Sequence, residues 1–147
     1  MLCHSPRQRE CETFADTVPY ELRCQEARRM LRKYPDRVPV ICERAPGSNL
    51  PALHKKKFMI PGCMTVCELV YIIQQHLKRT SNPMTTEEAL YCHHGDVPQT
   101  LKCGTSLSWL YENCRDSSDD GFLYITYSAE NTLGGMCRAP TSSQQLA

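Results

Sequence analysis

The sequence predicts an α+β fold: a four-stranded mixed sheet wrapped on one central helix, with an extra helix at the N-terminal end. Three observations carry this. Segments with the two-residue period of strands alternate with segments of helical period, in the order helix, strand, strand, helix, strand, short helix, strand. One helix is marked by apolar residues Val66, Leu69, Val70, Ile73 and Leu77, and it begins at Thr65-Val66-Cys67-Glu68, which has the form of a capping box. One strand, residues 122–127, is marked by alternating aromatic and β-branched side chains.

The elements follow in order. Residues 1–19 are polar and interrupted by Pro6 and Pro19, which predicts a flexible arm with one short helix near residues 12–17. From Tyr20 to Tyr34, the residues Ala27, Met30, Leu31 and Tyr34 fall at helical spacing, and Pro35 stops that helix. Val38-Pro39-Val40-Ile41-Cys42 reads as a strand, and residues 45–49 as turn material. Lys57-Phe58-Met59-Ile60 is a second strand, closed by Pro61-Gly62. Behind the central helix comes a polar loop over residues 80–86, and then a third strand at Ala89-Leu90-Tyr91-Cys92. Leu107, Leu110, Tyr111 and Cys114 mark a short helix, followed by an acidic turn over residues 116–121 and the aromatic strand. Everything after Gly134 is small and polar, without a core-forming pattern. The organisation is therefore an arm (1–19), one domain (20–134) and a C-terminal tail (135–147).

The chain of 147 residues has room for one domain with a real core. Its net charge of +1 argues against nucleic acid as a partner, but the sum hides an asymmetry. Residues 1–79 hold 14 Lys/Arg against 8 Asp/Glu, and residues 80–147 hold 3 against 8, so one end attracts anionic peptides or lipid head groups. No apolar run opens the chain, and no stretch approaches the ~20 apolar residues of a membrane span. A cytoplasmic location with reduced thiols is thus expected for the ten cysteines. Cys42, Cys67 and Cys114 occupy apolar positions of periodic segments and are expected to pack as small hydrophobes.

Two strands, a helix and two more strands form the β-grasp order of ubiquitin, which leaves the first helix to pack on the outer face of the sheet. Three segments then carry a closer likeness: Lys33-Tyr34-Pro35-Asp36-Arg37-Val38-Pro39-Val40-Ile41-Cys42-Glu43-Arg44; Lys55-Lys56-Lys57-Phe58-Met59-Ile60-Pro61 followed by Met64-Thr65-Val66; and residues 119–134, ending in Glu130-Asn131-Thr132-Leu133-Gly134. In residues, order and rough spacing they resemble the autophagy ubiquitin-like modifiers, the family of microtubule-associated-protein light chains and GABA-receptor-associated proteins. The likeness covers residues 19–134, and the run from Pro39 to Pro46 leans to the GABA-receptor-associated branch.

The resemblance implies a function. Gly134 matches the reactive glycine of the family, so a processing cysteine protease is expected to remove the 13 residues 135–147. Activating and conjugating enzymes would then join the glycine to phosphatidylethanolamine, placing the protein on autophagosomal membranes. Gly135 offers a second cut site, and Gly134 is preferred. Glycine suits the chemistry because a chain without a Cβ threads a narrow catalytic channel. The resemblance also implies docking of cargo receptors and adaptors through short aromatic-x-x-aliphatic motifs, laid as an added strand beside the second strand. Carried over residue by residue, the aromatic pocket comprises Glu26, Met30, Pro39, Ile41, Lys57, Met59 and Phe122, and the aliphatic pocket Phe58, Ile60, Pro61, Met64, Leu69 and Ile72. Lys55, Lys57 and Arg37 face the acidic flanks of the motif. From the residues alone, alternation in the second strand sets Phe58 and Ile60 against Lys57 and Met59, so one pair looks away from the core. Arg7, Arg9, Arg23, Arg28, Arg29, Arg32 and Lys33 give the N-terminal region its charge, either for membranes and partners such as tubulin or as a solvated face.

The sequence departs from the family where the central helix ends in Ile73-Gln74-Gln75-His76-Leu77 instead of a basic run, where the third strand reads Tyr91-Cys92-His93-His94, and over residues 98–107. Nothing in it pairs a nucleophile with a base, so no enzyme activity or cofactor is expected. Two other readings remain: a ubiquitin-like scaffold that binds peptides without being conjugated, and a metal-binding protein using Cys92, His93, His94, Cys103 and Cys114.

Overall fold

Pro35 ends the helix α2 (Tyr20–Lys33) and sends the chain into extended conformation, so strand β1 (Arg37–Arg44) begins two residues later. The computed structural model describes residues 12–79, 89–94, 100–114 and 119–129. Around β1 it sets a four-stranded sheet with β2 (Lys57–Pro61), β3 (Tyr91–His94) and β4 (Leu123–Ser128), in the order β2-β1-β4-β3. β1 runs antiparallel to β2, with Val40 opposite Phe58, and parallel to β4, with Val40 opposite Leu123. β3 closes the far side antiparallel to β4, with Cys92 opposite Tyr127. The sheet is therefore mixed, and the aromatic strand β4 is central in it, as the sequence predicts.

Alternation sorts the strand residues onto two faces. The inner face presents Val38, Val40, Cys42, Phe58, Ile60, Leu123, Ile125 and Tyr127 to the helix α3 (Val66–Leu77), which buries Val66, Leu69, Ile73 and Leu77. Leu107 and Leu110 of α4 (Leu107–Asn113) complete this core. Each such side chain contributes about 2 kcal/mol by leaving water. Tyr127 also accepts the Leu53 N–H at 3.0 Å and donates to the Pro51 carbonyl at 2.9 Å, which ties down the β1–β2 connection. The outer face carries a smaller cluster: Ile41, Phe122, Tyr124 and Ala27, with Phe14 and Met30 packed against it. Cover on both faces explains why residues 38–42 read as a continuous apolar run and not as an alternation.

The expected apolar stripe of α2 is only thinly used. Ala27 is buried, whereas Met30 and Leu31 are half-buried and Tyr34 is exposed. The helix is held instead by polar contacts that periodicity does not report. Arg23 lies buried with its Nε 3.5 Å from Asp120, whose carboxylate also accepts the Phe122 N–H at 2.9 Å and the Tyr124 hydroxyl. Burial and this carboxylate push the Tyr124 phenol well above its usual range. The sequence marks Asp120 as part of an acidic turn and of the third family-like segment, and not as the partner of Arg23.

The short helix α1 (Phe14–Thr17) forms where the sequence places one, and Thr13 and Asp16 make its reciprocal capping box. At α3 the Thr65 half of the predicted box is present, its Oγ1 accepting the Glu68 N–H at 3.4 Å. Two expectations are corrected. The third strand is Tyr91–His94, two residues beyond its predicted start, because the ladder with β4 carries both histidines into the sheet. Cys67 is exposed and not a core residue, since the α3 stripe falls on Val66 and Leu69 to either side of it. The predicted loop at 80–86 and the tail after Gly134 lie outside the described residues.

Candidate functional site

The outer face holds a depression of about 320 Å³ between α2 and β2. Helical spacing brings Glu26, Arg29, Met30, Lys33 and Tyr34 to one side of it, and alternation brings Lys57 and Met59 to the other. Next to it Ile41 and Phe122 are buried in the outer cluster against which Met30 packs, and Pro39 shares the strand face of Ile41. Four predicted residues of the aromatic pocket thus line the depression, while Pro39, Ile41 and Phe122 lie within the packed sheet. Sequence reasoning named Arg29 and Lys33 as N-terminal charge and Tyr34 as a helix position, and missed all three as pocket residues. They stand three, seven and eight residues after Glu26, which is spacing that could have found them.

The rim is cationic. Lys57 bridges to the Glu26 carboxylate across the depression, and Arg29 stands 3.8 Å from the same carboxylate. Lys33 and Arg37 lie 5.4 Å and 4.9 Å from the centroid of the exposed Tyr34 ring, which thus meets two cations. Two cations thus meet the Glu26 carboxylate and two more stand at the Tyr34 ring, an excess of positive charge that attracts an acidic partner.

The predicted aliphatic set lies on the opposite face of β2. Phe58, Ile60 and Leu69 are packed into the inner core, at 6%, 3% and 0% exposure, and Pro61, Met64 and Ile72 are half-buried at its margin. Lys55 stands 5.1 Å from the Phe58 ring centroid, and the His76 ring meets it edge-on at 5.2 Å. Burial, and then the Lys55 and Arg79 charges, lower the His76 pKa. The two sets do not form one basin. They meet along β2, which stands at the end of the sheet with β1 as its one strand neighbour among the described residues.

The alternative metal ligands do not converge. Cys92 is buried, and burial followed by the nearby Cys103 pushes its thiol up to about 12. His93 Nε2 lies 3.1 Å from Ser128 Oγ within the sheet. Among the described residues no group of three or more His, Cys, Asp or Glu side chains could hold a metal ion. No helix there is long and apolar enough to cross a membrane.

A sequence model of the family described as "Autophagy protein Atg8 ubiquitin like" matches residues 22–134. The chain belongs to the Atg8 family. Its relatives include Autophagy-related protein 8 of Colletotrichum lindemuthianum, 42% identical over 123 residues that make up 83% of this chain and 93% of the relative. The protein of that name from Schizosaccharomyces pombe is 40% identical over 82% of this chain and 93% of its own length. Among solved structures, Trypanosoma brucei ATG8 superposes with a TM-score of 0.69 at 27% identity, covering 80% of this chain and 93% of the other. Plasmodium falciparum Atg8, solved in complex with a Plasmodium falciparum Atg3 peptide, superposes with the same score at 36% identity, covering 81% and 97%. This Atg8-family chain is a ubiquitin-like protein of autophagy, with the β-grasp expected from its sequence. Gly134, the last residue of the family match, lies outside the described residues.

Proposed function

We propose that the chain is a membrane-conjugated modifier. A cysteine protease trims it to Gly134, activating and conjugating enzymes join that glycine to phosphatidylethanolamine, and the cytoplasmic protein then sits on autophagosomal membranes. There it docks cargo receptors and adaptors through aromatic-x-x-aliphatic motifs. The observation that carries the docking half is the open edge of β2 beside the depression lined by Glu26, Met30, Lys57 and Met59. A peptide laid antiparallel or parallel along that edge gains main-chain hydrogen bonds, and its aromatic side chain reaches the depression. Its aliphatic side chain meets the margin formed by Pro61, Met64 and Ile72, while acidic flanks meet Arg37, Lys55 and Lys57. The conjugation half is supported by a family match that runs to residue 134, a glycine. A conjugating-enzyme partner is supported by the Atg3 peptide bound to the Plasmodium relative.

Intact-mass spectrometry of the chain from cells with induced autophagy tests this reading. A species ending at Gly134, free and carrying phosphatidylethanolamine, is expected. Gly134→Ala is expected to keep residues 135–147 and to carry no lipid, because its Cβ obstructs the channel. Full-length wild type as the sole species, with motif-peptide binding intact, would instead identify an unconjugated scaffold.

A further inference from the structure

Among the described residues three cysteines, Cys63, Cys67 and Cys103, are exposed, and the chain brings two of them together. Residues 62–67 and 103–108 run antiparallel as a seam that joins the start of α3 to the start of α4. Ser108 N–H donates to the Gly62 carbonyl at 3.0 Å, Leu107 to Met64 at 2.8 Å and Val66 to Thr105 at 2.9 Å, and Thr65 pairs with Ser106 as an isolated bridge. The last bond of the seam runs from the Cys67 N–H to the Cys103 carbonyl at 3.0 Å. A main-chain bond of that length holds the two Cα atoms roughly 5–6 Å apart. Disulfides span Cα separations of about 4.4–6.8 Å.

We infer that Cys67 and Cys103 form a reversible disulfide that staples the first turn of α3 to the loop ahead of α4. The position selects these thiols. Cys42 and Cys92 are shut in the inner core, where burial holds both thiols protonated, while Cys67 and Cys103 face solvent. Cys63 lies one turn earlier, in the bend closed by Met64 N–H and the Pro61 carbonyl, and its main chain is not bonded to residue 103. Hydrogen peroxide supplies the oxidant. The Cys67 thiolate attacks one peroxide oxygen, the O–O bond breaks, and the departing hydroxide takes a proton to leave water and a sulfenic acid. The Cys103 thiolate then attacks that sulfur, the S–O bond breaks, and the second hydroxide leaves as water. Two thiols and one peroxide give one disulfide and two waters, the sulfur pair losing the two electrons that the peroxide gains. The bond closes a loop containing most of α3 and all of β3, and so removes freedom from the unfolded chain.

The test uses the full-length, fully reduced protein and needs neither lipid nor peptide, so it stands apart from the conjugation and docking reading. One equivalent of hydrogen peroxide is added, free thiols are blocked with iodoacetamide, and the chain is digested without reductant for mass spectrometry. The expected product is a pair of peptides carrying Cys67 and Cys103, together about two mass units lighter than the reduced pair and separated by dithiothreitol. Cys67→Ser and Cys103→Ser each remove this product, and Cys63→Ser keeps it. The same treatment in guanidinium chloride is expected to scatter the links among other cysteines, because the seam is lost. Dominant links through Cys63, alkylation of both Cys67 and Cys103 after peroxide, or an equal yield of their link in the denatured chain would each overturn the inference.

Discussion

Gly121 sets how closely α2 approaches the sheet, and Gly121→Ala measures what that approach is worth. Its φ of +95° lies in the region that L side chains avoid, and a Cβ built on it stands 2.9 Å from the Cβ of Ala27. Two costs add. The backbone conformation costs an alanine about 1–2 kcal/mol, and a contact that short must be relieved by displacing α2, at about 1–3 kcal/mol for an overpacked site. A loss near 3 kcal/mol is expected, which in urea moves the unfolding midpoint down by about 1–2 M. Gly47→Ala is the control, since Gly47 has φ +80° and nothing within 4 Å of the added Cβ. It is expected to cost only about 1 kcal/mol.

The two urea midpoints, followed by far-ultraviolet circular dichroism, separate backbone strain from contact. Equal losses at positions 47 and 121 would refute the close-approach argument. A double-mutant cycle sharpens it: Ala27→Gly makes room for the new methyl, so Gly121→Ala is expected to cost about 1–2 kcal/mol less in that background. Because α2 carries Glu26, Arg29 and Met30, the single variant is also expected to weaken motif-peptide binding, although Gly121 does not line the depression.

Three further outcomes are expected. Met59→Glu puts a carboxylate into the depression and repels an acidic peptide, so calorimetric affinity for an aromatic-x-x-aliphatic peptide falls about 10–100-fold, or about 1.4–2.7 kcal/mol, while the urea midpoint moves little; unchanged affinity removes the groove. Asp120→Ala strands the buried Arg23 guanidinium and the Phe122 N–H, and costs about 3 kcal/mol in urea unfolding; a loss below about 1 kcal/mol would mean that the pair does not hold α2. Alkali should destabilise the fold, since Cys92 rises from an ordinary 9.0 to about 12 and Cys42 also rises. Above pH 9 the unfolded chain releases these thiol protons and the folded chain keeps them, so stability falls as pH rises, by about 1.4 kcal/mol per unit for each thiol. Cys92→Ala is expected to reduce that slope by one thiol's share, and an unchanged slope would refute the assignment.

What the sequence made legible follows from which interactions leave a periodic trace. The α3 stripe and the alternation of β4 place their elements to within a residue, because burying one face fixes a period. The docking of α2 leaves almost no such trace. Its grip rests on one small residue, Ala27, a buried ion pair between positions 97 residues apart in sequence, Arg23 and Asp120, and the Glu26–Lys57 bridge. The likeness to the family supplied Glu26, Met30, Lys57 and Met59 for the depression, but it did not assign Arg29, Lys33 or Tyr34 to that pocket. It also placed Ile60 and Leu69 in a pocket, where the structure has them at 3% and 0% exposure, so an Asp at either position tests folding before binding. Met30 and Met59 are the better probes, being half-buried beside the depression.

The two edges of the sheet differ in how well they could take the added strand proposed above. β3 is accompanied on its outer side: Thr100 forms a bridge with His93, and Leu101 N–H donates to the Cys92 carbonyl at 2.8 Å. β2 has no such companion among the described residues, so its outward N–H and C=O groups are available for pairing. An edge left open to any strand invites aggregation, and proteins guard such edges with charge, proline and shortness. β2 has all three: five residues, Lys55-Lys56-Lys57 at its start and Pro61 at its end. In the proposed docking, the lysines that repel a second copy of this basic edge are the ones an acidic flank would neutralise, so the guard would double as the selector. Reversing Lys55 and Lys57 to Glu is therefore expected to weaken acidic motif peptides and to strengthen a basic-flanked version of the same core motif. Equal loss for both peptides would show that the lysines shape the edge and do not choose its partner.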